Sequence, residues 1–326
     1  MPKKRILSGM RPTGKLHIGH YVGALENWVK LQNEYESYHL IADYHVLTTD
    51  LRTEDIYENS IEMLIDWLAS GLDPKKSPMF RQSQIKEHSE LALIFGMLIT
   101  TSRLERNPTL KDQVRELNIV NITFGFLGYP VLQASDILVY KGDAVPVGED
   151  QVPHVEITRE IARKFNSQYG EVFPEPAPLL TQFARLPGLD GSAKMSKSLG
   201  NTILLSDDPE TVKAKMKKAV TDPNKIRKGD PGNPDICLVF SYHKKFNKEE
   251  VPEIEAGCRS GALGCVDCKM NCSAKISVFL EPIIEKRNYY ENNLNLVKDI
   301  LNDGEKRAKV VAEETMNDVR NKMKLG

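Results

Sequence analysis

Short apolar runs alternate with longer stretches of helical periodicity along the first 180 residues. Residues 5–9 read as a strand, 21–31 as a helix, and 38–43 as a second strand running on to Tyr44 and His45. A polar turn over 48–55 precedes a helical pattern from 56 to 70, stopped by Gly71 and Asp73-Pro74. Residues 78–83 form a weaker strand, and 88–101 are apolar and long enough for a buried helix, closed by 103–108. Residues 126–138 have helical spacing, which puts Tyr129, Gln133 and Asp136 on neighbouring turns of one face. Residues 144–147 then lead into Gly148-Glu149-Asp150-Gln151, and a helix follows over 152–165. This alternation predicts an α/β fold with a parallel sheet covered by helices on both faces.

Past Asn201 the pattern turns helical. Asp208 as N-cap with Pro209 behind it opens a helix to Val220. Further helices are expected over 249–256, 274–290 (kinked at Pro282) and 294–324. The change of regime falls near 190–205, where Gly188, Gly191 and Gly200 suit a mobile connection. The expected division is therefore a Rossmann-like domain over 1–195 and an all-helical domain over 196–326.

The length of 326 residues suits about two domains on a prior of ~100–200 residues each. With 40% hydrophobic and 27% charged residues the composition is that of a globular protein; no apolar run approaches a membrane span, and the cytoplasm is the default. The net charge of -1 means that a polyanionic partner must meet local basic patches. Lys213, Lys215, Lys217 and Lys218 form one such run, followed by Lys225, Arg227 and Lys228; the same run also suits a solvated helix face. All five cysteines lie between Cys237 and Cys272, in the spacing C-x20-C-x6-C-x2-C-x3-C. Four thiolates including a C-x2-C pair suit tetrahedral Zn²⁺ or a [4Fe–4S] cluster, and unliganded thiols are the alternative. Residues 257–273 are poor in apolar side chains, so a metal would explain how that stretch stays folded.

Two segments carry the chemistry. The first is Arg11-Pro12-Thr13-Gly14-Lys15-Leu16-His17-Ile18-Gly19-His20, between the first strand and the first helix. Open α/β sheets place nucleotides at such turns, because helix N-terminal N–H groups favour anions. An imidazole, neutral or charged, offers an N–H to a phosphate oxygen, and Gly19 allows close approach to the backbone. The second is Lys194-Met195-Ser196-Lys197-Ser198 on a Gly-flanked loop. Ammonium groups there can neutralise the charge developing on a departing pyrophosphate.

HIGH, then KMSKS, then a helical C-terminal part resembles the class I aminoacyl-tRNA synthetases, and within them the bacterial tryptophanyl-tRNA synthetases. The similarity runs through GMRPTGKLHIGHYVGAL, the block from GYPVLQASDILVYKGDAVPVGEDQ to REIARKFN, and FARLPGLDGSAKMSKSLGN. It covers most of the chain to Asn201; the tyrosyl enzymes share the fold but are less similar through the second block. The resemblance implies activation of L-tryptophan with ATP to an adenylate, then transfer to tRNA(Trp). On matching positions, Arg11, Pro12, Thr13, Gly19 and His20 would line the ATP site, with Gly148, Glu149 and Asp150 on the ribose side and Leu186 near the base. Lys194, Met195, Ser196, Lys197 and Ser198 would close on the phosphates, and Mg²⁺ would travel with ATP. His17, His20, Lys194 and Lys197 would carry catalysis.

The resemblance also makes Asp136 the acceptor of the indole N–H. An indole only donates, so a selective pocket needs a buried acceptor, and an Asp on an interior helix face needs a partner to be tolerable. Tyr129, His45, Gln133 and Gln151 would complete the pocket; some relatives carry methionine where Gln133 stands. By the same resemblance Cys237, Cys258, Cys265 and Cys268 would hold a [4Fe–4S] cluster, with Cys272 spare and Zn²⁺ the alternative. A homodimer is expected on family grounds. Tyrosyl specificity and a non-catalytic tRNA-binding paralogue are the competing readings.

Overall fold

In a computed structural model, which describes residues 3–180, 186–192 and 195–325, the α/β alternation forms one parallel sheet. The first half runs β1 (Arg5–Met10), α1 (Ile18–His20), a π-turn over Tyr21–Leu25, α2 (Glu26–Leu31), β2 (Glu36–Ile41), α3 (Asp43–Val46), α4 (Ile56–Ala69) and β3 (Met79–Arg81). It continues through α5 (Glu87–Gly96), α6 (Thr101–Glu105), α7 (Pro108–Glu116), α8 (Phe124–Leu138), β4 (Ala144–Val147), α9 (Val152–Tyr169) and β5 (Ala177–Leu180). The second half is α10 (Pro209–Lys218), α11 (Leu238–Phe246), α12 (Val251–Ser260), α13 (Cys265–Glu291) and α14 (Leu294–Met323). The strands are ordered β3-β2-β1-β4-β5, all pairs parallel. That order places a topological switch point between β1 and β4.

Several boundaries differ from the sequence expectation for physical reasons. The second strand stops at Ile41, where its pairing to both neighbours ends. Asp43 to His45 instead begin α3, because the Asp43 carboxylate is drawn to Ser83, accepting its backbone N–H at 2.9 Å and its hydroxyl at 2.5 Å. The apolar helix expected to 101 ends at Gly96, and a new helix, α6, starts at Thr101 with the Thr100 hydroxyl as cap. Asp208 does cap α10, accepting the Thr211 N–H at 2.9 Å. The cysteine-bearing stretch is mostly helix: α12 ends at Gly261 (φ 82°) and α13 starts four residues later at Cys265, carrying Pro282 inside it.

The residues after 195 do not pack as a separate block. Leu16, Ile18 and Leu25 share one apolar core with Val212, Met216, Ile276 and Leu280. α14 returns to the sheet, where Ala308, Ala312, Met316 and Val319 join Phe80, Leu91 and Val131 in a second core. None of the described helices is long and apolar enough to cross a membrane.

Candidate active site

The chain leaves β1 and β4 in opposite directions, and a cleft of about 790 Å³ opens at their C-terminal ends. Gly9, Met10 and Arg11 line it from β1, and Val147, Gly148, Asp150 and Gln151 from β4. Tyr129, Gln133 and Asp136 line it from α8, the shared face that their spacing predicts, and His45 lines it from α3. Gly9 is needed at this edge, since a Cβ there would lie 2.7 Å from the Leu40 carbonyl oxygen. Glu149 is exposed and, like Pro12 and Thr13, does not line the cleft wall.

The two signature segments meet in the turn after β1; Arg11 apart, His17, Gly19, His20, Met195, Ser196 and Lys197 do not line the cleft wall either. Lys197 donates from Nζ to the carbonyl oxygens of Thr13 and Lys15, the latter at 3.0 Å. A Cβ at Gly19 would lie 2.9 Å from both the His17 ring and Met195 Sδ, so the two segments are in close contact at that glycine. The rings of His17 and His20 pack with centroids 3.7 Å apart. Burial, and then Lys197, lowers His17 to about 4; burial, then His17 and Lys197, lowers His20 to about 3. Both imidazoles are therefore neutral at pH 7. The His17 backbone N–H donates to His20 Nδ1 at 3.2 Å, so His20 carries its proton on Nε2. Ser196 is tied by its N–H to Asn201 Oδ1 at 2.7 Å. Lys194 lies outside the described residues, and Ser198 is described only as part of the helical turn Lys197–Leu199.

On the cleft wall itself, Asp136 is buried in a ring of donors. Gln82 Nε2 and His88 Nδ1 each lie 2.7 Å from Oδ1, and His45 Nε2 lies 2.9 Å from Oδ2. Burial opposes its charge, but the hydrogen bonds from His45 and His88 outweigh it and hold the carboxyl at about 2. Tyr129 has a similar backing. Asn107 donates to His154 Nδ1 at 3.1 Å, leaving His154 Nε2–H to donate to the Tyr129 oxygen at 2.8 Å. The Tyr129 proton is then left to donate toward the cleft. Arg11 reaches Thr49 Oγ1 at 3.3 Å, and burial lowers its pKa.

Sequence reasoning missed Gln82, His88, Asn107, His154 and Tyr140, whose roles arise only through contacts across the fold. Leu186 is buried in the core that also holds Leu16 and Ile203 and does not line the cleft wall. Lys225, counted in the basic run, is also buried, donating to the Leu263 carbonyl at 2.8 Å. Among the described residues no three His, Cys, Asp or Glu side chains are arranged to hold a metal ion. Burial, and then Cys237, Cys258 and Cys265, push the Cys268 thiol up to about 12.

A crevice at the switch point, with HIGH and KMSKS docked on each other, is the arrangement expected of a class I aminoacyl-tRNA synthetase. The family model described as tRNA synthetases class I (W and Y) matches residues 2–281, and the chain belongs to that family. It is 50% identical to the tryptophan–tRNA ligase of Thermotoga maritima, across 98% of this chain and 99% of the relative. It is 46% identical to that of Aquifex aeolicus, across 98% and 100%. Its fold is similar to the tryptophanyl-tRNA synthetase of Campylobacter jejuni complexed with ADP and tryptophan, with a TM-score of 0.88, 34% identity, and 98% and 100% of the two chains covered. Within the family its place is with the tryptophan–tRNA ligases.

Proposed function

We propose that tryptophan is activated in the β1/β4 cleft, with its indole N–H on Asp136 and ATP lying along the HIGH turn toward Gly148–Asp150. The tryptophan carboxylate attacks the α-phosphorus of ATP, a P–O bond forms, and the bond to pyrophosphate breaks. No side chain has to move a proton in that step. His17 and His20 act as neutral N–H donors, and Lys197 with Lys194 meets the charge that grows on the pyrophosphate. Mg²⁺ comes and goes with ATP as part of that substrate. The observation that carries the reading is the buried, ionised Asp136 on the wall of the switch-point cleft, with the two signature segments docked on each other in the turn that follows β1. ATP–pyrophosphate exchange tests it: exchange should require tryptophan, and exchange driven by tyrosine instead would overturn it.

The finer assignments follow from the same placement. Residues 196–326 recognise the tRNA(Trp) anticodon, with exposed Lys217, Lys218, Arg227 and Lys228 as phosphate contacts. Cys237, Cys258, Cys265 and Cys268 supply the thiolate chemistry of a [4Fe–4S] cluster, or of Zn²⁺ as the alternative, although no three of them stand together as ligands in this structure. Such a group would cross-link the α12–α13 corner. Iron, sulfide and zinc analysis of anaerobically purified, tag-free protein tests this, and absence of all three removes it. The exposed apolar side chains of Leu117, Val120, Ile122 and Phe124, between α7 and α8, fit a homodimer contact; Val120 is 91% and Phe124 87% exposed. A monomeric mass of 36.8 kDa in sedimentation would remove that assignment. The cytoplasm is the compartment that suits a translation enzyme.

A further inference from the structure

We propose that His88, backed by Tyr140, is the positioning residue that makes Asp136 selective for an indole N–H. The inference rests on Asp136 being the indole acceptor. A carboxylate offers about four lone-pair sites, two on each oxygen. Oδ1 is filled by Gln82 and His88, and one site on Oδ2 is taken by His45. One acceptor site is left, on the oxygen whose occupied side is held by a cleft-lining residue. Gln82 and His88 do not line the cleft, so His88 can affect the amino acid only through Asp136.

The far side of the His88 ring decides what it offers. His88 Nε2 lies 2.8 Å from the Tyr140 hydroxyl, and that phenol is fully buried and stacked on Tyr38 at 4.7 Å. A buried phenol keeps its proton and donates it to Nε2, which puts the imidazole proton on Nδ1, facing Asp136. The opposite tautomer would aim a lone pair at a carboxylate oxygen 2.7 Å away. Tyr140 thus selects the tautomer, and His88 pins Oδ1. With both oxygens held, the carboxylate cannot swing to follow a ligand of different shape. A fixed, charged, single vacancy discriminates more sharply than a mobile one, because an amino acid without a donor at that point leaves it unpaired.

The test compares tryptophan with its analogue in which sulfur replaces the indole N–H, by pyrophosphate exchange. Wild-type enzyme should prefer tryptophan in kcat/KM by about a hundredfold, the scale of a hydrogen bond to a charged group. Tyr140→Phe and His88→Leu should shrink that ratio by roughly tenfold or more, through the tryptophan KM, while the ATP KM changes less than about threefold. His88→Asn, whose amide N–H can stand where Nδ1–H stands, should restore most of the ratio. Asp136→Asn is the control for the underlying reading. If it lowers the ratio while folded Tyr140→Phe and His88→Leu proteins keep it, the role of His88 is overturned and Asp136 stands. If Asp136→Asn itself leaves the ratio unchanged, the acceptor assignment falls and this inference with it. Equal losses for tryptophan and the analogue in the Tyr140 and His88 variants would mark a packing role and overturn the proposal.

Discussion

Lys197 belongs to the second signature segment yet rests on carbonyls of the first, and its charge helps keep His17 and His20 neutral. Desolvation lowers its own pKa, although the residue as a whole is exposed. In the proposed reaction a cation so placed would stabilise charge that appears only as pyrophosphate departs. Lys197→Ala should therefore slow adenylate formation by about a hundredfold or more in single-turnover kinetics. Tryptophan affinity, measured by equilibrium titration, should change less than about threefold, and equal losses in both would refute the role. At this scale the sequence was readable where two contiguous motifs support each other: His17, His20 and Lys197 stand out once HIGH and KMSKS are read together in one chain. Asp136 could be singled out because a buried carboxylate demands partners, but the partners could not be. Gln82 and His88 are 54 and 48 positions away along the chain, and in isolation His88 is only the start of an apolar helix.

Elements were legible where periodicity and packing agree. α8, β4, α9 and α14 fall close to their expected bounds because each buries a continuous apolar face. The misreadings are places where a long-range contact overrides a local pattern. Asp43 leaves the strand for Ser83, and Cys265 to Asn271, polar enough to read as a loop, are helical as the first turns of α13. What α14 does could not be foreseen from its helical pattern, since its docking site is the edge strand β3. Gly304 marks that contact: a Cβ there would sit 2.0 Å from the Met79 carbonyl oxygen and 2.8 Å from the Met79 nitrogen. The obstacle is backbone, so neither side can yield without moving a strand or a helix. Gly304→Ala should cost about 2 kcal/mol or more in urea unfolding, although alanine is the better helix former by about 1 kcal/mol. A stabilised Gly304→Ala protein would mean that α14 does not approach β3 so closely.

At the scale of the molecule, the helical half is tied to the HIGH turn by a buried ion cluster. Arg287, near the C-terminal end of α13, is 1% exposed and pairs with Asp66 and Glu62 of α4 and with Glu291. Asp66 also accepts the Leu16 N–H at 2.6 Å, one residue before His17. Thus α13 carries cysteines at one end and, at the other, holds the carboxylate that anchors the HIGH turn. Burial raises Asp66 to about 6 even though Arg287 and the Leu16 N–H pull it down. Replacing Arg287 by methionine removes that opposing pull, so the folded-state pKa of Asp66 rises further. The unfolded value stays near 3.8. Between those values the folded chain binds more protons than the unfolded one, so stability falls as pH rises, and the variant extends that fall to higher pH. Near pH 5 Asp66 is largely protonated in both proteins, and its share of the deficit is small. Near pH 8 the wild-type carboxylate is ionised against Arg287, whereas the variant's is forced to ionise with no cation beside it or to stay protonated at growing cost. Arg287→Met should therefore lose about 3 kcal/mol or more near pH 8, and clearly less near pH 5, in urea unfolding followed at both values. The ATP KM should rise with it, because a loosened Asp66 no longer fixes Leu16. A deficit independent of pH would reduce Arg287 to packing, and an unchanged ATP KM would separate the cluster from the nucleotide site.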